Sequence, residues 1–156
     1  MSRFILIAII CLCALPTLAA DYKITHLEQN RVFAGTTLLA DMSDHSEPKV
    51  VEVDFDGTVL WKFTPPRSMS GDILDAAKLS NGNILITIRD AGIYEIRRDG
   101  RVVWGHEDSG ASHDADRLSN GNTLYNRGWQ DKGDDVVRES DPEGKIVWAW
   151  KGRADY

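Results

Sequence analysis

No cysteine occurs after residue 20 of the sequence. The two thiols of the chain, Cys11 and Cys13, lie in an apolar N-terminal segment. The rest of the chain therefore forms no disulfide and offers no thiolate to a metal. A domain built from this part must be stabilised by the packing of its core.

Basic side chains are also scarce, since 18 Lys and Arg stand against 24 Asp and Glu and form no long cluster. This balance opposes binding to phosphate backbones, so we expect no nucleic-acid partner. The four histidines lack the spacing of a metal site, and the sequence has neither a glycine-rich phosphate loop nor a Gly-x-Ser-x-Gly elbow. We expect no metal and no cofactor.

The first 20 residues have the pattern of a secretory signal peptide, in which Arg3 precedes an apolar run from Phe4 to Leu15. About twelve apolar residues are fewer than the roughly 20 that span a bilayer, which disfavours a membrane anchor. We expect cleavage after Ala19 or Ala20, and export to the periplasm or the exterior. The mature domain, 21–156, keeps 17 basic and 24 acidic side chains, a net charge of −7.

The domain contains internal repeats. The segment LDAAKLSNGNILITI, Leu74–Ile88, matches HDADRLSNGNTLYNR, His113–Arg127, at eight of fifteen positions with a spacing of 39 residues. A second element ends in tryptophan and recurs at steps of 43 and 44 residues, over Glu52–Trp61, Glu95–Trp104 and Glu139–Trp148. About three copies of a unit of roughly 40 residues are therefore present.

Each unit is predicted to form antiparallel strands, because short runs rich in Val, Ile, Leu, Thr and Tyr alternate with Asn-Gly, Asp-Gly or Glu-Gly pairs typical of tight turns. No segment after the leader has a helical period. The predicted strands are about Val32–Leu39, Val50–Asp54, Val59–Phe63, Ile84–Ile88, Ile93–Arg97, Val102–Gly105, Thr123–Arg127, Val136–Glu139 and Ile146–Trp150.

A period near 40 residues with about four strands per unit is typical of β-propeller blades. We therefore predict an all-β fold of about three blades, with Trp61, Trp104 and Trp148 packed between neighbouring blades. Propellers close with roughly 4–8 blades, so three leave the ring incomplete. Two explanations stay open. Either the sequence is a fragment or truncated form of a longer protein, or two or more copies complete a ring together.

The element His-Asp-x-x-x-Leu-x-Asn-Gly-Asn, from His113 to Asn122, resembles the repeats of bacterial arylsulfotransferases. The element Glu-x-x-x-Asp-Gly-x-Val-x-Trp, at Glu52, is similar to theirs and to quinoprotein-like propeller repeats in general. The resemblance extends over the chain from about Val32. It implies a periplasmic propeller in which a histidine in the central opening takes a sulfuryl group from an aryl sulfate and passes it to a phenol.

Comparison of the two closest repeats selects candidate site residues. His113 is replaced by Leu74 in the other copy and Arg127 by Ile88, although the copies otherwise match closely. A neutral imidazole is a competent nucleophile, and cationic donors offset the charge on sulfuryl oxygens. Under the resemblance His113 is the nucleophile or a sulfuryl-binding donor and Arg127 its oxyanion partner. The alternative is a loop histidine and a solvated arginine.

His106 is a weaker candidate by the same reasoning, and we expect His26 and His45 to be surface residues. Trp129 and Trp150 lie outside the periodic tryptophan position and are freer to serve a ligand. The expected partners are aryl sulfates and phenols. The rival function is a non-catalytic, quinoprotein-like module for binding or assembly, in which His113 is solvated and residues such as Trp129 form an exposed patch. A degenerate relic with neither activity is a third interpretation.

Overall fold

The structure is a computed structural model that describes residues 22–28, 30–128 and 135–151. The predicted leader and Trp129 lie outside these residues. The described part contains no α-helix, only a 3-10 turn at Arg67–Met69, and has no helix long and apolar enough to cross a membrane. Its strands are β1 Thr37–Asp41, β2 Lys49–Val53, β3 Val59–Phe63, β4 Ile73–Lys78, β5 Ile84–Ile88, β6 Gly92–Ile96, β7 Val102–Glu107, β8 Ala111–Arg117, β9 Thr123–Arg127, β10 Val137–Ser140 and β11 Ile146–Trp150.

The strands form three antiparallel sheets, each a meander in which neighbours in sequence are neighbours in the sheet. The first sheet holds β1–β3, the second β4–β7 and the third β8–β11. The prediction of an all-β fold built from sequential antiparallel units is confirmed.

Glycine sets the turns between strands at one end of the sheets. Gly57, Gly82, Gly100, Gly121 and Gly144 have φ between 84° and 89°, a region that other residues enter only with strain. These are the Asn-Gly, Asp-Gly and Glu-Gly pairs of the sequence, so their assignment to tight turns is confirmed.

The core lies between the sheets, and β5 is buried along its whole length. Because side chains alternate across a strand, Ile84, Ile86 and Ile88 join an apolar cluster with Val50 and Phe63 of the first sheet. Leu85 faces the other way, into a second cluster formed with Ala115 and Tyr125 of the third sheet. The second sheet is therefore packed on both faces.

The predicted strand bounds agree with the structure for β3, β5, β9 and β11 and are close for four others. The prediction starting at Val32 was wrong there, since β1 begins at Thr37 and Val32 and Phe33 are exposed. Strands β4 and β8 were not predicted. Their sequences, ILDAAK and ASHDADR, are poor in β-branched and aromatic residues, so packing against the neighbouring sheet decides their conformation.

A glutamate and a tryptophan of the first sheet fasten it to the second. Glu52 lies opposite Trp61 in the ladder between β2 and β3. The buried Glu52 carboxylate accepts a hydrogen bond from Lys78 Nζ at 3.2 Å and also pairs with Arg98. Trp61 Nε1 donates to the carbonyl of Arg98 at 2.9 Å, and the Arg98 guanidinium lies 5.1 Å from the Trp61 ring centroid.

The same contacts recur between the second and third sheets. Glu95, opposite Trp104, accepts from Arg117 Nη2 at 3.2 Å. Trp104 Nε1 donates to the carbonyl of Pro142 at 2.8 Å, and the Arg117 guanidinium lies 4.2 Å from the Trp104 ring centroid. We call this arrangement, an acid and a ring of one sheet with a cation and a carbonyl of the next, the Glu–Trp contact. It confirms that Trp61 and Trp104 pack between neighbouring units, whereas Trp148, predicted to pack in the same way, is half exposed.

Candidate functional site

His113 lies on β8, an edge strand of the third sheet that packs against β4 and β5 of the second sheet. Ser112 and Ala115 pair with consecutive residues of β9, so His113 and Asp114 between them form a two-residue bulge. Bulges redirect side chains out of the regular pleat. His113 is consequently exposed, although Ser112 and Ala115 on either side of the bulge are buried.

The backbone of His113 adopts the left-handed conformation, with φ of 54°. Such a conformation costs on the order of 1–3 kcal/mol for a residue with a side chain. The counterpart Leu74 occupies a one-residue bulge of β4 and does not have a positive φ. The strain therefore belongs to the copy that carries the histidine, which favours a functional reason for it over a requirement of the fold.

Two neighbours define the position of the imidazole. Ser112 is buried, and its Oγ lies 2.5 Å from Nδ1 of His113. Gly128 closes over the serine, since a Cβ atom there would lie 2.5 Å from Ser112 Oγ and 2.9 Å from Ser112 Cβ. Residue 128 must therefore be glycine for Ser112 to keep its place beside His113.

Replacing Gly128 by alanine should lower the free energy of unfolding by about 1–3 kcal/mol, because the added methyl group overpacks this spot. Urea unfolding monitored by tryptophan fluorescence measures the loss. The double variant Gly128→Ala/Ser112→Gly removes the atoms that clash, so it should lose less than the two single variants together. Strictly additive losses would contradict the contact.

Arg127 lies on β9 opposite Ala111, and only 12% of its side chain is exposed. Its Nε is 3.0 Å from Asp108 Oδ2, and its Nη1 donates to the carbonyl of Asp135 at 3.2 Å. Arg127 is thus not a solvated arginine, since a buried carboxylate holds its guanidinium. Its role toward a sulfuryl oxygen stays a prediction.

The carboxylate of Asp108, 7% exposed, collects donors from three parts of the chain. The Gly110 N–H and the Tyr125 hydroxyl each donate to it at 2.8 Å, and Arg138 Nη1 lies 3.1 Å from it, in addition to Arg127. Burial alone would raise the pKa of Asp108, but these donors and the two guanidinium groups outweigh burial and lower it. Asp108 is therefore ionised and fixed in place.

Tyr125 connects this carboxylate to His106. Because the Tyr125 hydroxyl donates to Asp108, its oxygen accepts from Nε2 of His106 at 3.0 Å, which places the proton of the neutral imidazole on Nε2. Burial lowers the pKa of His106 despite the nearby charge of Asp108. Burial and Asp108 raise the pKa of Tyr125. His106 is thus a half-buried link between two sheets.

A further acid lies near the bulge. Asp75 on β4 occupies the position that Asp114 has on β8. Burial and the charge of Asp114 raise the pKa of Asp75. A carboxyl group with a raised pKa is protonated over a wider pH range and can donate a proton. The sequence pattern did not indicate this property of Asp75.

The remaining histidines, His26 and His45, are exposed as expected. Trp150 is half exposed on β11. Two clefts of about 470 and 490 Å³ lie between the β4–β5 and β8–β9 turns and between the loops that precede β2 and β4. Neither is lined by His113 or Arg127.

Asp108 escaped prediction because the repeat comparison began at His113, five residues after Asp108. At the spacing of 39 residues, Asp108 replaces Met69 just as Arg127 replaces Ile88. Met69 and Ile88 are both buried in the apolar cluster between the first and second sheets. The two positions therefore differ together between the copies. The ion pair of Asp108 and Arg127 takes the place of the apolar residues Met69 and Ile88.

Comparisons with known proteins place this chain in a family. No curated protein matches the chain. A protein of unknown function from Bacteroides caccae, with a crystal structure at 1.35 Å, is similar with a TM-score of 0.46 and 16% identity over 80% of this chain and 70% of that chain. The family model described as "Arylsulfotransferase (ASST)" matches residues 22–153, which is most of the chain. The chain therefore belongs to the arylsulfotransferase family.

Proposed function

We propose that this protein transfers a sulfuryl group from an aryl sulfate to a phenol through His113. The observation that carries the proposal is the geometry of that residue, an exposed imidazole on a strained left-handed bulge with Nδ1 beside the buried Ser112 hydroxyl. Membership of the arylsulfotransferase family supports the same reaction.

The reaction has two displacement steps at sulfur. A nitrogen of the neutral imidazole attacks the sulfur atom, the bond from sulfur to the aryl oxygen breaks, and the phenolate leaves and takes a proton from water. The oxygen of the acceptor phenol then attacks the same sulfur, the nitrogen–sulfur bond breaks, and the proton of the acceptor passes to water. Covalent catalysis of this kind divides one difficult transfer into two easier ones.

Arg127 is the proposed partner of the sulfuryl oxygens. It lies on β9, the strand paired with the bulge, and Asp108 holds its guanidinium in a fixed position. A cation that is already oriented stabilises developing negative charge without reorganising during the reaction. Ser112 orients the imidazole through Nδ1.

We also propose that the three sheets are blades of a propeller, with β4 and β8 on the side of the axis. This agrees with the meander order and with the packing of β4 against β1 and of β8 against β4 and β5. A ring of roughly 4–8 blades requires further sheets, so the chain is a fragment or truncated form, or associates with other sheets. The leader pattern of residues 1–20 supports export to the periplasm or the exterior.

A trapping experiment tests the reaction. Without an acceptor, 4-nitrophenyl sulfate should release up to one equivalent of 4-nitrophenol per chain in a burst. The peptide that contains His113 should then gain the mass of one SO₃ group, as read by mass spectrometry at alkaline pH. His45→Ala is the matched control and should still be labelled, because His45 is an exposed residue beside Asp72. A folded protein labelled at a residue other than His113, or not labelled, would overturn the proposal.

A further inference from the structure

We infer that the open face of the third sheet binds the first sheet of a second copy of this chain, head to tail. This open face is defined by Glu139 on β10 and by Trp148 and Trp150 on β11. Such pairing is an assembly of copies of the chain, so it is tested by the mass of the protein in solution and not by sulfuryl transfer.

The open face corresponds to two faces that are covered within the chain. Trp148 and Trp150 are 49% and 51% exposed. The residue of β3 that corresponds to Trp150 is Phe63, which is 6% exposed because the second sheet lies over it. Large aromatic side chains in a cluster exposed to this extent are typical of an interaction surface.

Comparison with the two complete Glu–Trp contacts shows which partner groups the open face does not have among the described residues. Glu139 lies opposite Trp148, as Glu52 and Glu95 lie opposite their tryptophans. Glu139 accepts from Asn122 at 2.6 Å but pairs with no cation among the described residues. Trp148 likewise has neither the guanidinium nor the backbone carbonyl that Trp61 and Trp104 have, within the part of the chain described. The face therefore fits a sheet that supplies a cation and a carbonyl.

The segment that precedes the first sheet has a cation at the corresponding sequence position, although this residue lies in a turn before β1 and not on a strand. Lys78 and Arg117 each stand four residues before a turn glycine, and Arg31 stands four residues before Gly35. The register is supported by Thr36, which follows Gly35 and donates to Glu52 as Asn122 donates to Glu139. Arg31 is 80% exposed, and its partner Glu28 forms a surface ion pair that contributes little.

The required carbonyl is that of Phe55. Arg98 and Pro142, whose carbonyls accept from Trp61 and Trp104, each stand two residues before a turn glycine, and Phe55 stands two residues before Gly57. The Phe55 side chain is exposed. The segment of Tyr22 and Ile24 lies against Gly57, so it has to shift when a second copy binds.

Charge favours this head-to-tail pairing over a symmetric pairing of two open faces. A symmetric pairing would bring two Glu139 carboxylates into one interface and no cation from the Arg31 segment, whereas the head-to-tail pairing matches Glu139 with Arg31. A contact between two different surfaces closes into a ring if the rotation allows it. Two copies of the three described sheets would then cover the outer faces of the first and third sheets of each copy.

The test is the mass of the purified protein by analytical ultracentrifugation over a concentration series, with charge-reversal variants. We expect a concentration-dependent species of at least two copies, and an increase of at least about tenfold in its dissociation constant in Glu139→Arg and in Arg31→Glu. The double variant Glu139→Arg/Arg31→Glu should restore association, because it exchanges the two charges.

Two control variants separate this surface from others. Val147→Ala changes the neighbour of Trp148 on the opposite side of β11, and Arg101→Glu reverses an exposed charge elsewhere. Both should associate like the unchanged protein. A protein that is monomeric at all concentrations would overturn the inference, as would association unaffected by the single reversals or not restored in the double variant.

Discussion

Replacing His113 by alanine should reduce the rate of sulfuryl transfer by at least about 10³-fold, because no other group then forms the covalent intermediate. The rate is measured as release of 4-nitrophenol from 4-nitrophenyl sulfate with a phenol as acceptor. The side chain is exposed, so the fold should survive the change, and an unfolding curve measured on the same sample checks this.

A matched set of variants makes this result specific. His113→Asn removes the nucleophile but tolerates the left-handed backbone, so it should be as inactive as His113→Ala. His26→Ala alters an exposed histidine in the segment that precedes β1 and should retain the rate of the unchanged protein. If His113→Asn stayed active, the imidazole would not be the nucleophile.

Replacing Asp108 by alanine should lower the free energy of unfolding by about 3–5 kcal/mol. The variant removes the carboxylate that pairs with the Arg127 guanidinium and leaves Arg138 with Asp135 as its acidic partner. It also removes the acceptor of the Tyr125 hydroxyl. Urea unfolding at neutral pH measures the loss, and Asp99→Ala, at an exposed carboxylate that pairs with Arg101, should change stability little.

The apolar version of the same contact offers a stricter control. Met69 and Ile88 fill the corresponding positions between the first two sheets, so the double variant Asp108→Met/Arg127→Ile copies a contact that the protein already uses. The double variant should be more stable than Asp108→Ala, because it also removes the Arg127 guanidinium that Asp108→Ala leaves without a carboxylate. An equal loss in both variants would mean that the ion pair is not the source of the stability.

The same carboxylate predicts how stability depends on pH. In the folded state the pKa of Asp108 lies below its ordinary value of 3.8, so its contribution is complete above that pH and is lost as the pH falls through the folded pKa. The pKa of His106 lies below 6.5, so the unfolded chain takes up this proton first and stability starts to fall below pH 6.5. Below pH 3.8 the stability difference between the unchanged protein and Asp108→Ala should therefore shrink as the pH falls. A difference that stays constant or grows as the pH falls below 3.8 would contradict this assignment.

The sequence was sufficient for the strands whose own residues favour a pleated conformation. The runs Val59–Phe63, Ile84–Ile88, Thr123–Arg127 and Ile146–Trp150 alternate with glycine turns, and the local signals agree with the packing. Strands β4 and β8 carry Asp, Ala, Ser and His, so their conformation depends on a neighbouring sheet that a local pattern does not reveal. The same dependence explains the error at Val32, which is apolar but has no sheet against it.

The site was predictable only in part. Comparison of the repeats selected His113 and Arg127 because each departs from an otherwise close copy. The sequence did not reveal the left-handed backbone of His113, which arises from the way two extra residues fit into the ladder. Nor did it reveal that Asp108 meets Arg138, because these residues are 30 positions apart, with Asp108 in the turn between β7 and β8 and Arg138 on β10.

The Glu–Trp contact has a consequence for how the number of repeats can change by gene duplication or deletion. The acid and the ring stand in one repeat, whereas the cation and the carbonyl come from the next repeat, so a single repeat carries both halves of the contact on its opposite faces. Duplication of one unit of about 40 residues therefore creates a new junction that already fits, and deletion of a unit rejoins two matching faces. An ancestral gene lengthened or shortened by whole units would need no compensating mutation at the junctions, which leaves positions such as His113 and Leu74 free to diverge.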